Sequence, residues 1–205
     1  MARYTGPKVK ISRRLGVNIF ENDKGQRMLD RKPYPPGEHG RARRRQPSEY
    51  LLQLQEKQKA KYIYGLLERQ FSNLYKEATR QQGVTGENLL RMLEQRLDNV
   101  TFRAGWAATR PQARQFVSHG MVKVNGKRVN IPSYRVRKGD VVTLGDKARG
   151  MIVIRHNLDT IDRRTPDWLE TGADDDFAAT VRDLPVRAQI DVPVREQLIV
   201  ELYSK

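Results

Sequence analysis

An Asn-Gly dipeptide at positions 125–126 constrains the fold of this chain more than any other feature of its sequence. It lies between two short runs, VKV at 122–124 and KRV at 127–129. An Asn-Gly loop between such runs is the strongest short-range signal for a β-hairpin with a two-residue turn. That register pairs Lys123 with Arg128 on one face, and like charges directly opposite each other destabilise a strand pair. The pairing therefore favours a face that binds a polyanion.

Two short helices are predicted in front of the hairpin. Leucine and valine recur at helical spacing between positions 87 and 104, which predicts one amphipathic helix there. The stretch Thr109–Gln112 has the pattern of a capping box with proline in the first turn, and Gly120 is typical of the end of the second helix. After the hairpin, apolar runs predict further strands at 141–144 and 151–154.

The charge of the chain is large and unevenly placed. Its 205 residues include 39 lysines and arginines against 24 aspartates and glutamates, a net charge of +15. Residues 1–45 and residues 91–150 each hold 13 basic and 4 acidic residues, whereas residues 151–205 hold 7 basic and 11 acidic residues. Two separate basic blocks are typical of proteins that bind nucleic acid through defined faces.

The sequence divides into regions that together predict an α+β protein. Residues 1–46 are rich in glycine, proline and basic residues and cannot build a core alone, so we expect this extension to be disordered or ordered by a partner. Residues 47–90, with Ser48 as a helix cap, predict a helical domain, and the apolar C-terminal stretch 186–205 is expected to pack back onto it. Residues 91–156 hold the helix-helix-hairpin unit with a small, mostly antiparallel sheet, and residues 157–185 are interpreted as an acidic linker.

Several function classes are disfavoured by what the sequence lacks. It contains no cysteine, so disulfides and thiolate metal sites are excluded, and we expect no metal and no cofactor. No apolar run approaches the roughly 18 residues needed to span a membrane. The N-terminus also lacks the apolar core of a signal peptide, and the expected location is the cytoplasm.

Residues 96–144 resemble the small helix-helix-hairpin RNA-binding domain first named after ribosomal protein S-four. Further stretches are similar, in the same order, to bacterial small-subunit ribosomal protein number four: PPGEHGRARRR, EYLLQLQEKQKAKYIYGLLERQF, TGENLLRMLEQRLDN and the terminal LIVELYSK. The resemblance runs from the N-terminus to about residue 155 and resumes at the C-terminus. Many members of that family carry an N-terminal cysteine cluster that looks zinc-binding. This chain has none, so rRNA is the expected agent that orders residues 1–46.

The resemblance implies a function in the ribosome. Family members bind 16S rRNA directly and early, and they help to nucleate assembly of the small-subunit body. They contact ribosomal protein number five of the small subunit at an interface linked to decoding accuracy. They also line the mRNA entry path with basic side chains that do not read sequence. The expected location is therefore ribosome-bound in the cytoplasm.

Two groups of basic residues are the candidate RNA contacts, because arginine donates bidentate hydrogen bonds to phosphate and RNA helices are recognised largely through phosphates, 2′-hydroxyls and shape. The resemblance assigns the mRNA entry path to Arg41, Arg43, Arg44 and Arg45. The candidate rRNA contacts are Arg3, Lys8, Arg13, Arg14, Lys57, Lys59, Lys61, Arg69, Arg96, Arg103, Arg110, Arg114, His119, Lys123, Asn125, Lys127 and Arg128. Alternatively these side chains form a solvated charged surface, and His119 only favours a helix C-terminus. Asp98 is expected to be structural, either pairing locally with an arginine or capping the backbone.

An enzyme is not expected. The same RNA-binding domain occurs in pseudouridine synthases and in a tRNA synthetase, but those proteins need a separate catalytic domain. The residues that follow position 155 contain no P-loop, no dinucleotide motif and no pair of nucleophile and base. The remaining alternative to a ribosomal protein is a free-standing RNA-binding stress or rescue factor.

Overall fold

The computed structural model describes residues 4–42, 46–161, 164–172 and 175–204. These residues form two compact units, one built from Met1–Glu77 with Pro193–Lys205 and the other from Ala78–Val192. The helices of the described residues are α1 (Lys8–Leu15), α2 (Asp23–Arg31), α3 (Glu49–Ile63), α4 (Glu68–Arg80), α5 (Thr85–Glu94), α6 (Leu97–Arg103), α7 (Arg110–Ser118), α8 (Asp146–Arg149), α9 (Ile152–Thr160) and α10 (Glu196–Ser204). The strands are β1 (Val122–Val124), β2 (Lys127–Arg128), β3 (Val141–Leu144), β4 (Leu169–Thr171) and β5 (Ala178–Val181). Helices joined to one small antiparallel sheet confirm the predicted α+β class.

The N-terminal part of the first unit has secondary structure of its own. The side chain of Asn22 accepts a hydrogen bond from the backbone N–H of Gly25 at 2.7 Å and caps α2. Gly16 ends α1 in the left-handed conformation, and Ile19 beyond it is buried. The expectation of a disordered extension is therefore wrong for the described residues of this range, and ordering by a partner stays a prediction. Local caps and buried isoleucines organise them despite their glycine and proline content.

The C-terminal helix of the first unit packs on α3 and α4. The amide of Gln53 donates to the carboxylate of Glu201 at 3.0 Å, and the ring of Tyr203 stacks on Tyr75 with centroids 4.4 Å apart. Ser48 caps α3 by accepting a hydrogen bond from the backbone N–H of Leu51, as its position predicts. The contacts with α3 and α4 stabilise α10, because a helix of 9 residues is marginal on its own.

The second unit is built on a five-stranded sheet in the order β2-β1-β3-β5-β4, with every neighbouring pair antiparallel. Helices α6 and α7 pack against each other beside it. The fully buried side chains of its core include Trp106, Trp168, Phe102 and Leu144. The indole N–H of Trp106 donates to the backbone carbonyl of Asp176 at 2.9 Å, so the ring is buried without loss of its hydrogen bond.

Two predictions for the segment after the hairpin are wrong. The run 151–154 begins helix α9 and is not a strand, because a four-residue apolar run does not distinguish a strand from a buried helical turn. The interpretation of 157–185 as a linker fails because β4 and β5 lie within it and β5 pairs with β3. Ala179 and Val181 face the core, and the acidic residues around these short strands hide their alternation in the sequence.

The predicted single helix over 87–104 is broken at Gln95 and Arg96. Arg96 has an extended backbone, and the segment 134–136 supplies the hydrogen bonds that the helix gives up. The N–H of Val136 donates to the carbonyl of Gln95 at 3.0 Å, and the N–H of Leu97 donates to the carbonyl of Tyr134 at 2.8 Å. Because those partners lie about 40 residues away in the sequence, no local pattern signals the break.

Candidate nucleic-acid interface

The β-hairpin has the predicted register. Lys123 lies opposite Arg128 and Val124 lies opposite Lys127. The two loop residues, Asn125 and Gly126, have φ values of 49° and 78°, the positive pair that a type I′ turn requires. The turn therefore presents Lys127 and Arg128, both exposed, at one end of the sheet.

The side chain of Asn125 braces this turn against the chain that enters β3. Its oxygen accepts a hydrogen bond from the N–H of Val141 at 2.9 Å, and its amide nitrogen donates to the carboxylate of Asp140, also at 2.9 Å. Asp140 in turn accepts the N–H of Arg137 at 2.7 Å. The structure thus places Asn125, a candidate RNA contact, in a network that fixes the position of the basic residues around it.

Sequence reasoning missed two exposed basic residues beside the hairpin, Arg137 and Lys138. They belong to the turn before β3, and the contacts of Asn125 with Asp140 and Val141 hold that turn next to the hairpin loop. Lys138 lies 3.2 Å from Asp183, in a pair that is mostly exposed on both sides. Arg137 and Lys138 lie next to the hairpin because β1 pairs with β3. The sequence could have indicated this only if the hairpin register had been extended to a third strand.

Arg128 is anchored on the end of α7. Its Nη2 donates to the backbone carbonyl of His119 at 3.1 Å, and His119 itself is an exposed residue. A cation at a helix C-terminus is favoured by the unpaired carbonyls there. The backbone of His119, a candidate RNA contact, therefore holds the Arg128 guanidinium in place.

Lys123 has an acidic neighbour that the sequence analysis did not anticipate. Its Nζ lies 3.4 Å from the Asp146 carboxylate, whose side chain is 91% exposed. The Lys123–Arg128 pair therefore has a counter-charge within the protein. The compensation is weak, because an ion pair this exposed is screened by water and contributes little.

The four candidate arginines of helices α6 and α7 and of the residue before α6 are mostly engaged inside the unit. Arg96 donates to Asp98 through two hydrogen bonds, and Arg103 does the same to Glu94, with all four side chains nearly or fully buried. The expected local pairing of Asp98 with an arginine is confirmed. The guanidinium groups of Arg96 and Arg103 therefore serve as internal ion-pair partners.

Arg110 and Arg114 lie on α7, next to that buried network. Arg110 stacks over the ring of Phe102 at 4.2 Å and donates to the side-chain oxygen of Asn99 at 3.1 Å. Arg114 lies 3.7 Å from Asp98, with only 11% of its side chain exposed. Both side chains have internal partners, and both residues remain partly accessible to solvent.

In the first unit, three of the candidate lysines are paired with glutamates. Lys57 and Lys61 both reach Glu68, and Lys59 reaches Glu56. Burial would raise the pKa of Glu68, but hydrogen bonds from Lys57 and Lys61 outweigh it and hold that pKa below its usual value. These three lysines are thus compensated within the protein, in contrast to Lys127 and Arg128.

The remaining candidates of the first unit lie near the N-terminus and on α4. Arg14 and Arg69 are exposed, and the Lys8 ammonium lies 5.4 Å from the Phe20 ring centroid. Arg13 and Arg41 both contact Tyr34, in an arrangement described below. Arg3, Arg43, Arg44 and Arg45 lie outside the described residues.

Within the ranges 4–42, 46–161, 164–172 and 175–204, no group of three or more histidine, cysteine, aspartate or glutamate residues could hold a metal ion. No helix in the same ranges is long and apolar enough to cross a membrane.

Two known protein families match consecutive parts of the chain. Residues 3–94 match the family described as the ribosomal protein S4/S9 N-terminal domain, and residues 95–142 match the S4 domain. The chain is 55% identical over 208 residues to a protein of Nocardioides sp. and 52% identical over 209 residues to one of Thermoanaerobacter sp. strain X514. A protein of Chloroherpeton thalassium is 52% identical over 206 residues. Each match covers 100% of both chains, and each relative is named small ribosomal subunit protein uS4.

Proposed function

The chain belongs to the ribosomal protein S4 family, uS4, and we propose from this membership that it binds 16S rRNA directly within the small ribosomal subunit. The family consists of ribosomal proteins and not of enzymes. The chain is accordingly a non-catalytic, RNA-binding protein of translation. Relatives that match along their whole length also argue against the alternative of a free-standing stress or rescue factor.

The observation that carries the rRNA proposal is the charge around the hairpin turn. Lys127 and Arg128 are exposed and have no ion pair among the described residues, and Arg137 and Lys138 lie on the adjacent turn. The Asn125 network and the anchored Arg128 fix this cluster before any ligand arrives. Preorganised cations of this kind suit the phosphates and 2′-hydroxyls of an RNA helix, which is recognised mostly by shape.

Three finer roles belong to the same proposal and are supported by the family resemblance. The protein nucleates assembly of the subunit body, since a protein that binds rRNA directly can act early. It contacts ribosomal protein number five of the small subunit and so contributes to decoding accuracy. Its Arg41, together with Arg43, Arg44 and Arg45, lines the mRNA entry path, where phosphate contacts hold a strand without reading its sequence.

A binding titration with a 16S rRNA transcript tests the rRNA proposal. Replacing Lys127 and Arg128 together with alanine should weaken binding by the full-length protein and make the salt dependence shallower, by about 0.7 to 0.9 in log–log slope per lost phosphate contact. The matched control is the Lys76→Ala variant, which removes one exposed charge from α4. An unchanged affinity and slope in the double variant, with the wild type still bound, would exclude the hairpin as the rRNA-binding face.

Translation by reconstituted ribosomes tests the mRNA role separately. Ribosomes that carry alanine at positions 43, 44 and 45 should assemble, and they should slow more on a message with a stable hairpin than on an unstructured message. Equal slowing on both messages, or failure to assemble, would assign these arginines to rRNA binding instead.

A further inference from the structure

Tyr34 is contacted by two arginines from different parts of the N-terminal region. The guanidinium of Arg13, on α1, lies 5.0 Å from the centroid of the Tyr34 ring, and that of Arg41 lies 4.9 Å from it. Arg41 also donates through Nη2 to the Tyr34 hydroxyl at 3.0 Å. A cation held by both a ring and its hydroxyl has far less freedom than an arginine on an open surface.

Arg13 fixes the segment that carries Tyr34. Its Nε donates to the carbonyls of Lys32 at 3.3 Å and Tyr34 at 3.1 Å, and its Nη2 donates to the carbonyl of Pro35 at 3.2 Å. Prolines in this segment remove backbone donors, so its carbonyls cannot all pair with neighbouring N–H groups. The forked guanidinium of Arg13 supplies those donors and attaches the segment to α1.

The chain then turns back so that Arg41 reaches Tyr34. The turn Glu38–Arg41 follows Gly37, which has a φ of 112°. A Cβ on Gly40 would lie 2.2 Å from the carbonyl oxygen of Pro35, so only glycine permits this close approach. The geometry places Arg41 on the surface with no carboxylate in ion-pair distance among the described residues.

We propose that Tyr34 is a positioning residue that presents the Arg41 guanidinium to the phosphates of an RNA strand, with Arg13 holding Tyr34 in place. This inference rests on the proposed function of the chain as an RNA-binding protein. One N–H of Arg41 is used by Tyr34, and a guanidinium has five, so enough donors remain for a bidentate phosphate contact. Arg13, a candidate rRNA contact, acts here through Tyr34.

The test is a double-mutant cycle on the full-length protein with a single-stranded oligouridylate as the probe. Arg41→Ala and Tyr34→Leu should each weaken binding about two- to tenfold, the range expected when an arginine contact is lost or must be ordered on binding. In the Arg41→Ala background, Tyr34→Leu should change affinity by less than about twofold, because a positioning residue acts only through the group it positions. Tyr34→Phe keeps the ring and should lose less than Tyr34→Leu. The matched control is Lys24→Ala, which removes one exposed charge from α2.

Two results would overturn the proposal. One is a full Tyr34→Leu effect in the Arg41→Ala background, which would mean that Tyr34 contacts RNA itself or supports the fold generally. The other is wild-type affinity of Arg41→Ala. If Tyr34→Leu fails to fold, the cycle is run with Tyr34→Phe, which retains the packing. Binding of the wild type to the 16S rRNA transcript is measured in parallel. A wild type that does not bind this transcript would refute the proposed function, whereas the two results above concern only the role of Tyr34.

Discussion

A Cβ atom on Gly120 would lie 2.0 Å from Nε of Arg128. The guanidinium thus occupies the space that any other residue at position 120 would fill, at the end of α7 where it bonds the carbonyl of His119. Gly120 also has a φ of 67° and so ends the helix in a conformation that favours glycine. One residue therefore serves two purposes, the helix end and the placement of a basic side chain.

The pair Gly120→Ala and Gly126→Ala separates these two purposes. Both glycines have positive φ, but a Cβ on Gly126 meets nothing within 4 Å. Each variant should lose about 1 kcal/mol of unfolding free energy from backbone strain, measured by urea denaturation. Only Gly120→Ala displaces Arg128, so only it should lose further affinity for the 16S rRNA transcript, by about two- to tenfold. Equal affinities for the two variants would show that the placement of Arg128 does not matter for binding.

Reversing the charge at position 123 should affect binding far more than folding. Lys123→Glu brings a carboxylate opposite Arg128 and next to Asp146, so one interaction improves while the other worsens. We expect the unfolding free energy to change by no more than about 0.5 kcal/mol, since both contacts are exposed. Affinity for the rRNA transcript should fall by about 1 kcal/mol or more. A variant that unfolds more easily but binds as well as the wild type would identify this face as structural.

Removing one partner of a buried ion pair should reduce the free energy of unfolding strongly, in contrast to the substitution at position 123. Arg103→Ala leaves the Glu94 carboxylate buried without its two guanidinium hydrogen bonds. The expected loss is about 3 to 5 kcal/mol of unfolding free energy. Lys127→Ala, at an exposed position, should lose almost none. Thermal unfolding compares the stability of the two variants, and rRNA binding is measured well below both midpoints. A Lys127→Ala variant less stable than Arg103→Ala would contradict the assignment of Arg103 to the core and Lys127 to the surface.

The sequence predicts the hairpin well because its determinants are local. The two-residue loop sets the register of Lys123 and Arg128, and the structure has that register. The caps at Ser48 and Thr109 are local for the same reason, and both side chains accept the expected backbone hydrogen bonds.

The misassigned residues depend on distant partners. A single helix over 87–104 makes Arg96 and Arg103 candidate RNA contacts, but the structure has two helices there, α5 and α6. The break between them is made by residues 134–136, which reach Gln95 and Leu97 across the fold. Strand β5 gave no clear signal either, because it is short and the acidic residues around it hide its alternation. Arg137 and Lys138 join the basic surface only through the pairing of β1 with β3.

The docked C-terminal helix should make the stability of the protein sensitive to high pH. Burial raises the pKa of the Tyr203 hydroxyl, and its hydrogen bond to Glu68 adds to the effect. A folded-state pKa above the unfolded value of about 10 means that the native state keeps a proton that the unfolded chain releases. This contribution is fully present below pH 10 and is lost progressively as the pH rises above it. Denaturation at a series of pH values should therefore show a steeper alkaline loss of unfolding free energy for the wild type than for Tyr203→Phe, which has no hydroxyl to titrate. Parallel curves above pH 10 would mean that the Tyr203 hydroxyl ionises as readily in the folded protein as in the unfolded chain.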